Sequence, residues 1–133
     1  MTVVAHLNRV FMIDDEEIQN MVNKKIVEKT EICKEVTTYK NAESVIQYLK
    51  QLIVEQPDRL PDAIFVDINM PIMDGWEFLT AYQALNMPLY HHCRVFILSS
   101  SILASDIEKA KTFPFVEAFI SKSLSPEVLS KYF

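Results

Sequence analysis

Apolar and polar positions fall along this chain in two alternating kinds of block. Five short runs rich in Val, Ile, Leu and Phe are separated by stretches whose apolar residues recur at helical spacing. The first run, Arg9 to Ile13, stops abruptly at Asp14-Asp15-Glu16-Glu17. The stretch after it places Ile18, Met21, Val22 and Ile26 at i, i+3, i+4 and i+8, which predicts a helix with those residues on its apolar stripe. Acidic residues in its first turn suit the helix dipole. A weaker strand follows from Cys33 to about Thr38. Ala42, Val45, Ile46, Leu49, Leu52 and Ile53 then form a second helical stripe, stopped by Pro57.

Ala63 to Val66 is apolar on both faces and reads as a buried strand ending at Asp67. The loop Ile68 to Asp74 leads to Gly75, which opens a third helix carrying Phe78, Leu79, Tyr82 and Leu85. Val95 to Leu98 is a second buried strand, running into Ser99-Ser100-Ser101. A fourth helix is expected from an N-cap at Ser105 to about Thr112. A fifth strand, Glu117 to Ile120, leads to Lys122. A last helix of nine residues runs from Ser125 to Phe133, with Ser125 as cap and Pro126 in first position.

Strict strand–helix alternation with two-sided apolar strands predicts an α/β fold: a parallel sheet covered by helices on both faces. In such sheets ligands bind outside the carboxyl ends of the strands. Asp14, Asp15, Asp67, Ser99 and Lys122 all fall where a strand gives way to a loop.

Composition narrows the chemistry at that edge. The chain has 133 residues and one glycine, Gly75. A dinucleotide fingerprint needs three glycines within six residues and a P-loop needs two, so neither is present. Tight hairpins also lean on glycine, which argues against an all-β protein. Phosphate, if bound, must be held by side chains and a metal. The length suits a single domain over residues 1–133. No apolar run approaches a membrane span, and the amino terminus lacks the pattern of a signal peptide, so a cytoplasmic location is expected. The net charge is −5 and no basic cluster exceeds Lys24-Lys25, which argues against direct nucleic-acid binding. Cys33 and Cys93 form no CxxC pair and imply no disulfide framework.

Three carboxylates converging on one sheet edge repel, and a cation or protons must be present for them to coexist. Magnesium fits: a hard ion that takes few protein carboxylates, keeps several waters and often adds a phosphate. Lys122 would add a second positive charge and Ser99 a neutral hydroxyl. The chemistry this implies is phosphoryl transfer, with the Asp67 carboxylate as nucleophile and the metal and Lys122 stabilising the transferring group.

Asp67-Ile-Asn-Met-Pro-Ile-Met-Asp-Gly75 resembles the phosphoacceptor loop of response-regulator receiver domains. So do Asp14-Asp15 after the first strand, Ile97-Leu98-Ser99-Ser100 at the fourth and Phe119-Ile-Ser-Lys122 at the fifth. The resemblance spans essentially the whole chain and implies a doubly wound, flavodoxin-like sheet of five parallel strands in the order 2-1-3-4-5. It implies that Asp67 receives a phosphoryl group from a histidine on a sensor kinase or phosphotransfer protein. Asp15 would bind Mg²⁺ directly, Asp14 largely through water, and Asn69 through its main-chain carbonyl. Ser99 would swing toward the phosphoryl group, Phe119 would act as the switch aromatic, and the fourth helix, fifth strand and fifth helix would form the face for a downstream protein. Under the implied order, Cys33 and Cys93 lie three strand spacings apart, about 14 Å at roughly 4.8 Å each, too far for a disulfide. The chain departs from the family in having Ser123 rather than proline after Lys122, and in its short last helix. No output domain is expected.

The rival enzyme reading is an aspartate-nucleophile phosphatase of the haloacid-dehalogenase type. Those enzymes carry a second aspartate two positions after the nucleophile as general acid–base. Here that position is Asn69, which exchanges no proton, so the expectation is a switch and not a turnover phosphatase. A scaffold that never receives phosphate is disfavoured by the complete acidic set and the lysine. A flavin-binding relative is disfavoured by the missing hydroxyl- and glycine-rich loop. His91-His92 beside Cys93 suggest a metal site, but adjacent side chains on an extended segment point to opposite faces, so they read as loop residues. Trp76 reads as a partly buried helix residue near the acceptor loop.

Overall fold

The computed structural model describes residues 7–88, 91–100, 103–121 and 124–133. Its elements are β1 (Leu7–Ile13), α1 (Glu17–Thr30), β2 (Cys33–Tyr39), α2 (Ala42–Glu55), a 3-10 turn (Pro57–Arg59), β3 (Ala63–Asp67), α3 (Gly75–Ala84), β4 (Arg94–Ser99), α4 (Ala104–Ala110), β5 (Val116–Ser121) and α5 (Pro126–Ser130). The five strands form one sheet in the order β2-β1-β3-β4-β5, and every neighbouring pair is parallel. This is the α/β doubly wound arrangement that the resemblance implied.

Strand alternation sorts the core into two layers. Phe11, Ile13, Ile64, Val66, Val95 and Ile97 face α2 and α3, where Leu49, Phe78 and Leu79 are fully buried. Val10, Met12, Phe65, Phe96 and Leu98 face the other way, against Val27 of α1 and Leu129 of α5. β3 is buried at all five positions, which is why it reads as an unbroken apolar run. The short α5 is fastened from the sheet: Arg94 pairs with Glu117, donates to the Tyr132 carbonyl at 2.6 Å and lies 4.5 Å from the Phe133 ring centroid.

The structure corrects three details. Most of the stripe on α1 faces solvent, with Ile18, Met21 and Val22 exposed by 73%, 49% and 45%, while Ile26 is partly buried against the second core layer. Its buried positions are Asn20, Asn23 and Val27. At about 100° per residue, Ile18 and Val22 both stand roughly 160° from Asn20, on the far side of the helix. The inward face carries Asn20 because backbone carbonyls must be satisfied there. Asn20 Nδ2 donates to the carbonyls of Asp14 at 2.8 Å and Tyr39 at 3.0 Å, tying together the ends of β1 and β2.

Second, α4 is capped by Leu103, not Ser105; the Leu103 carbonyl accepts from the amides of Asp106 and Ile107, so Ser105 already lies in the first turn. Third, α5 ends at Ser130, where the Lys131, Tyr132 and Phe133 amides turn back onto Val128 and Leu129. Its Ser125 cap is as expected, the hydroxyl oxygen accepting from Val128 N at 3.1 Å.

Candidate functional site

The sheet order brings Asp14-Asp15, at the end of β1, beside Asp67, at the end of β3, because β1 and β3 are neighbours in register from Val10↔Ala63 to Ile13↔Val66. One carboxylate oxygen from each of the three lies within 4.8 Å of the others, and among the described residues this is the one such group of three metal-ligating side chains. Asp14 and Asp67 are each 2% exposed, while Asp15 is more open to solvent. The site is thus an acidic floor reached from one side.

Each acid is held by its surroundings. The Asp14 amide donates to the Tyr39 carbonyl at 3.0 Å, and its Oδ1 accepts from Glu16 N at 2.9 Å. With Asn20 on its carbonyl, Asp14 is fixed at backbone and side chain alike. Asp67 Oδ1 accepts from Asn69 N at 3.3 Å. Ser99 closes β4 with 1% exposure, one residue beyond the partner of Asp67, which is Leu98.

The loop from Asp67 to α3 folds tightly back. Gly75 N donates to the Ile68 carbonyl at 2.8 Å. A β-carbon on Gly75 would stand 2.6 Å from Ile68 Cα and 2.7 Å from the Asp67 carbonyl oxygen. Glycine is required here by close approach of backbone to backbone, not by a left-handed φ. Asp74 and Glu77 then form a reciprocal capping box, with Glu77 N on Asp74 Oδ1 at 2.9 Å and Asp74 N on Glu77 Oε1 at 3.1 Å. Within the loop, Ile72 adopts a left-handed φ of 69°.

Other sequence-predicted residues fall as follows. Phe119 on β5 is half-buried and packs against the α2–α3 core layer. Lys122 and Ser123 lie outside the described residues. Asn69 is exposed. His91 Nε2 lies 2.6 Å from the Pro61 carbonyl, and it joins no metal-ligating group among the described residues. Trp76, half-buried as expected, stacks on Phe113 at 6.2 Å and lies 4.8 Å from Lys109 Nζ, so α3 touches α4 just beyond the acceptor loop. Both cysteines are free thiols. Burial pushes Cys33 up to about 11. It pushes Cys93 up to about 12 despite the opposing hydrogen bond from Tyr82, which keeps both protonated and poorly nucleophilic at neutral pH.

Two positioning features escape a reading by apolar periodicity. Asn20 is polar on a buried face and gives no such signal. The capping box does leave one, in the Asp-x-x-Glu spacing of Asp74 and Glu77.

A doubly wound parallel sheet with buried acids at the ends of its first and third strands defines a phosphorelay type of receiver. The sequence matches the response regulator receiver domain over residues 10–133, and the chain belongs to that family. A two-component response regulator from Cytophaga hutchinsonii is 30% identical, with 94% of this chain and 92% of that chain covered and a TM-score of 0.85. A response regulator receiver protein from Dyadobacter fermentans is 27% identical, covering 94% and 97% of the two chains at a TM-score of 0.77. The receiver domain of the histidine kinase CKI1 from Arabidopsis thaliana, complexed with Mg²⁺, shares the fold at 21% identity, with 98% and 94% covered and a TM-score of 0.78. No curated protein matches the chain. The protein is accordingly a signalling switch of the response regulator class, whose partners are histidine kinases or phosphotransfer proteins.

Proposed function

We propose that residues 1–133 work as one receiver domain in which Asp67 accepts the phosphoryl group. The observation that carries this reading is the meeting of three carboxylates within 4.8 Å, two of them buried. Such a donor set, all oxygen and all anionic, fits Mg²⁺. Asp14, Asp15 and Asp67 would hold the ion, with the Asn69 carbonyl as a further ligand. When bound, it supplies charge neutralisation for the phosphoryl oxygens.

In the transfer itself an Asp67 carboxylate oxygen attacks phosphorus as the phosphorus–nitrogen bond to the donor imidazole breaks. The bonding pair returns to the ring nitrogen, which regains its proton from water. The Asn69 amide on Asp67 Oδ1 steers which oxygen is left to attack. Ser99 lies at the edge where its hydroxyl can meet the arriving group, and Lys122 would add a positive charge there. Phe119, half-buried on β5, is the aromatic that would follow Ser99 and reshape the face made by α4, β5 and α5 for a downstream protein. This reading puts the protein in the cytoplasm, where such donors act. Among the described residues no helix is long and apolar enough to cross a membrane.

Incubation with acetyl phosphate and Mg²⁺, followed by mass spectrometry, tests the assignment. One phosphoryl group is expected on the wild-type chain and none on Asp67→Asn; label retained on the variant overturns it. Sustained release of phosphate from a generic phosphate ester would instead favour the phosphatase reading, against which Asn69 stands.

A further inference from the structure

α4 has little hold on the core. Of its seven residues, Ala110 alone is buried. The neighbouring α3 buries Phe78, Leu79 and Tyr82, the first two completely. An element with so few buried contacts takes its position from the few it has.

Two of those few meet at Trp76, in the first turn of α3. Its indole stacks on Phe113, just past α4, with ring centroids 6.2 Å apart and planes at 18°. The ammonium of Lys109, in the last turn of α4, lies 4.8 Å from the indole centroid. Phe113 in turn is tied through its backbone to both neighbours. Its amide donates to the Ala110 carbonyl at 3.1 Å, and its carbonyl accepts from Val116 N, the first residue of β5, at 3.0 Å. One indole therefore bears on the end of α4.

The other end of this connection is the acceptor loop. Trp76 follows Gly75, which donates to the Ile68 carbonyl and lies so close that a β-carbon would strike Ile68 and the Asp67 carbonyl. Backbone rests on backbone there, with no side chain between to absorb a shift. A displacement at Asp67 is therefore delivered to the first turn of α3, and through the indole to α4. Resting on the phosphoacceptor reading of Asp67, we propose that Trp76 is a positioning residue of the switch. It sets the place of α4 against the acceptor loop, by a route separate from Ser99 and Phe119. An indole suits that task, having both a broad stacking face and the strongest attraction for a cation; leucine has neither.

The test uses the whole chain, whose single tryptophan reports on this contact alone. Mg²⁺ with beryllium fluoride, the probe for the phosphoryl group, is expected to change tryptophan emission. It is also expected to alter hydrogen exchange across α4 by about fivefold, the worth of one good aromatic contact. In Trp76→Leu, acetyl phosphate is expected to label Asp67 at the wild-type rate and the Phe119 end of β5 to keep its exchange response, while the α4 response disappears. Trp76→Phe keeps a ring over Phe113 and recovers most of that response. An α4 response in Trp76→Leu equal to the wild type overturns the proposal, as does unchanged emission from the wild type. So does loss of the α4 and β5 responses together, the mark of a packing residue only, and so does a Trp76→Phe chain no better than Trp76→Leu. A wild-type chain that acetyl phosphate does not label, or label on Asp67→Asn, is instead the failure of the Asp67 reading itself.

Discussion

Replacing Gly75 with alanine sets two physical effects against each other. Gly75 has no positive φ, so alanine can adopt its backbone, and the entropy of the unfolded chain favours the substitution by up to about 1 kcal/mol. Against this, the new methyl lies 2.6 Å from Ile68 Cα and 2.7 Å from the Asp67 carbonyl oxygen. Both are backbone atoms at the end of a strand buried along its whole length, so neither can rotate away. Relief requires α3 to lift from β3, which strains the Gly75–Ile68 hydrogen bond and the capping box on Asp74.

Overpacking of this kind costs about 1–3 kcal/mol, and more where only backbone can move. We expect a net loss of about 2 kcal/mol. With an unfolding entropy of roughly 2.1 cal/mol/K per residue, the 133-residue chain should melt about 7 °C lower. Thermal unfolding followed by circular dichroism measures this, and acetyl phosphate labelling should slow in the same variant because the Asp67 carbonyl is what the methyl strikes. A variant melting at or above the wild-type temperature would refute the steric argument and leave chain entropy in command.

Two further outcomes are expected. Asp15→Asn removes one of three like charges within 4.8 Å, so the metal-free protein should gain about 1 kcal/mol, while the rise in melting temperature with Mg²⁺ disappears. Differential scanning fluorimetry with chelator and with Mg²⁺ reads both, and a loss of metal-free stability with the Mg²⁺ effect intact contradicts the arrangement. Cys93 is held by burial well above its ordinary value, at about 12, so its contribution to stability is complete below about pH 9 and fades as pH climbs toward 12. Urea midpoints should fall across that range, less steeply for Cys93→Ala; parallel slopes would show that the thiol is not responsible.

The strands were legible in the sequence because burial on both faces leaves little choice of residue: Ala63 to Val66 and Val95 to Leu98 are apolar at every position and fully buried or nearly so. The acids were legible because each interrupts such a run. The orientation of α1 was not. Apolar spacing finds a stripe but not which neighbour it meets, and the inward face of this helix carries Asn20 because the strand ends beneath it present carbonyls to be satisfied. The cap of α4 escaped for a related reason: Ser105 is a good capping residue, yet the chain bends two residues earlier, at Leu103. The purpose of Gly75 was half legible. Its place in the loop was readable, while the near-contact of two backbones that excludes a methyl exists only in the fold.

The strand order also bears on how the chain comes together. All neighbours being parallel, no pair can be joined by a tight turn, and the central pair joins Val10 to Ala63, fifty-three positions along the chain. Closing such a loop costs roughly 3.5 kcal/mol beyond a constant. During synthesis at about 5–20 residues per second, the inner edge of β1 waits for several seconds before its partner is made. Until β3 inserts, an apolar edge lies unguarded against misassociation, and the three acids have not yet met. Acidic repulsion therefore enters only once the central strands have paired, and divalent cation present at that moment should act on the last steps of folding more than on the first.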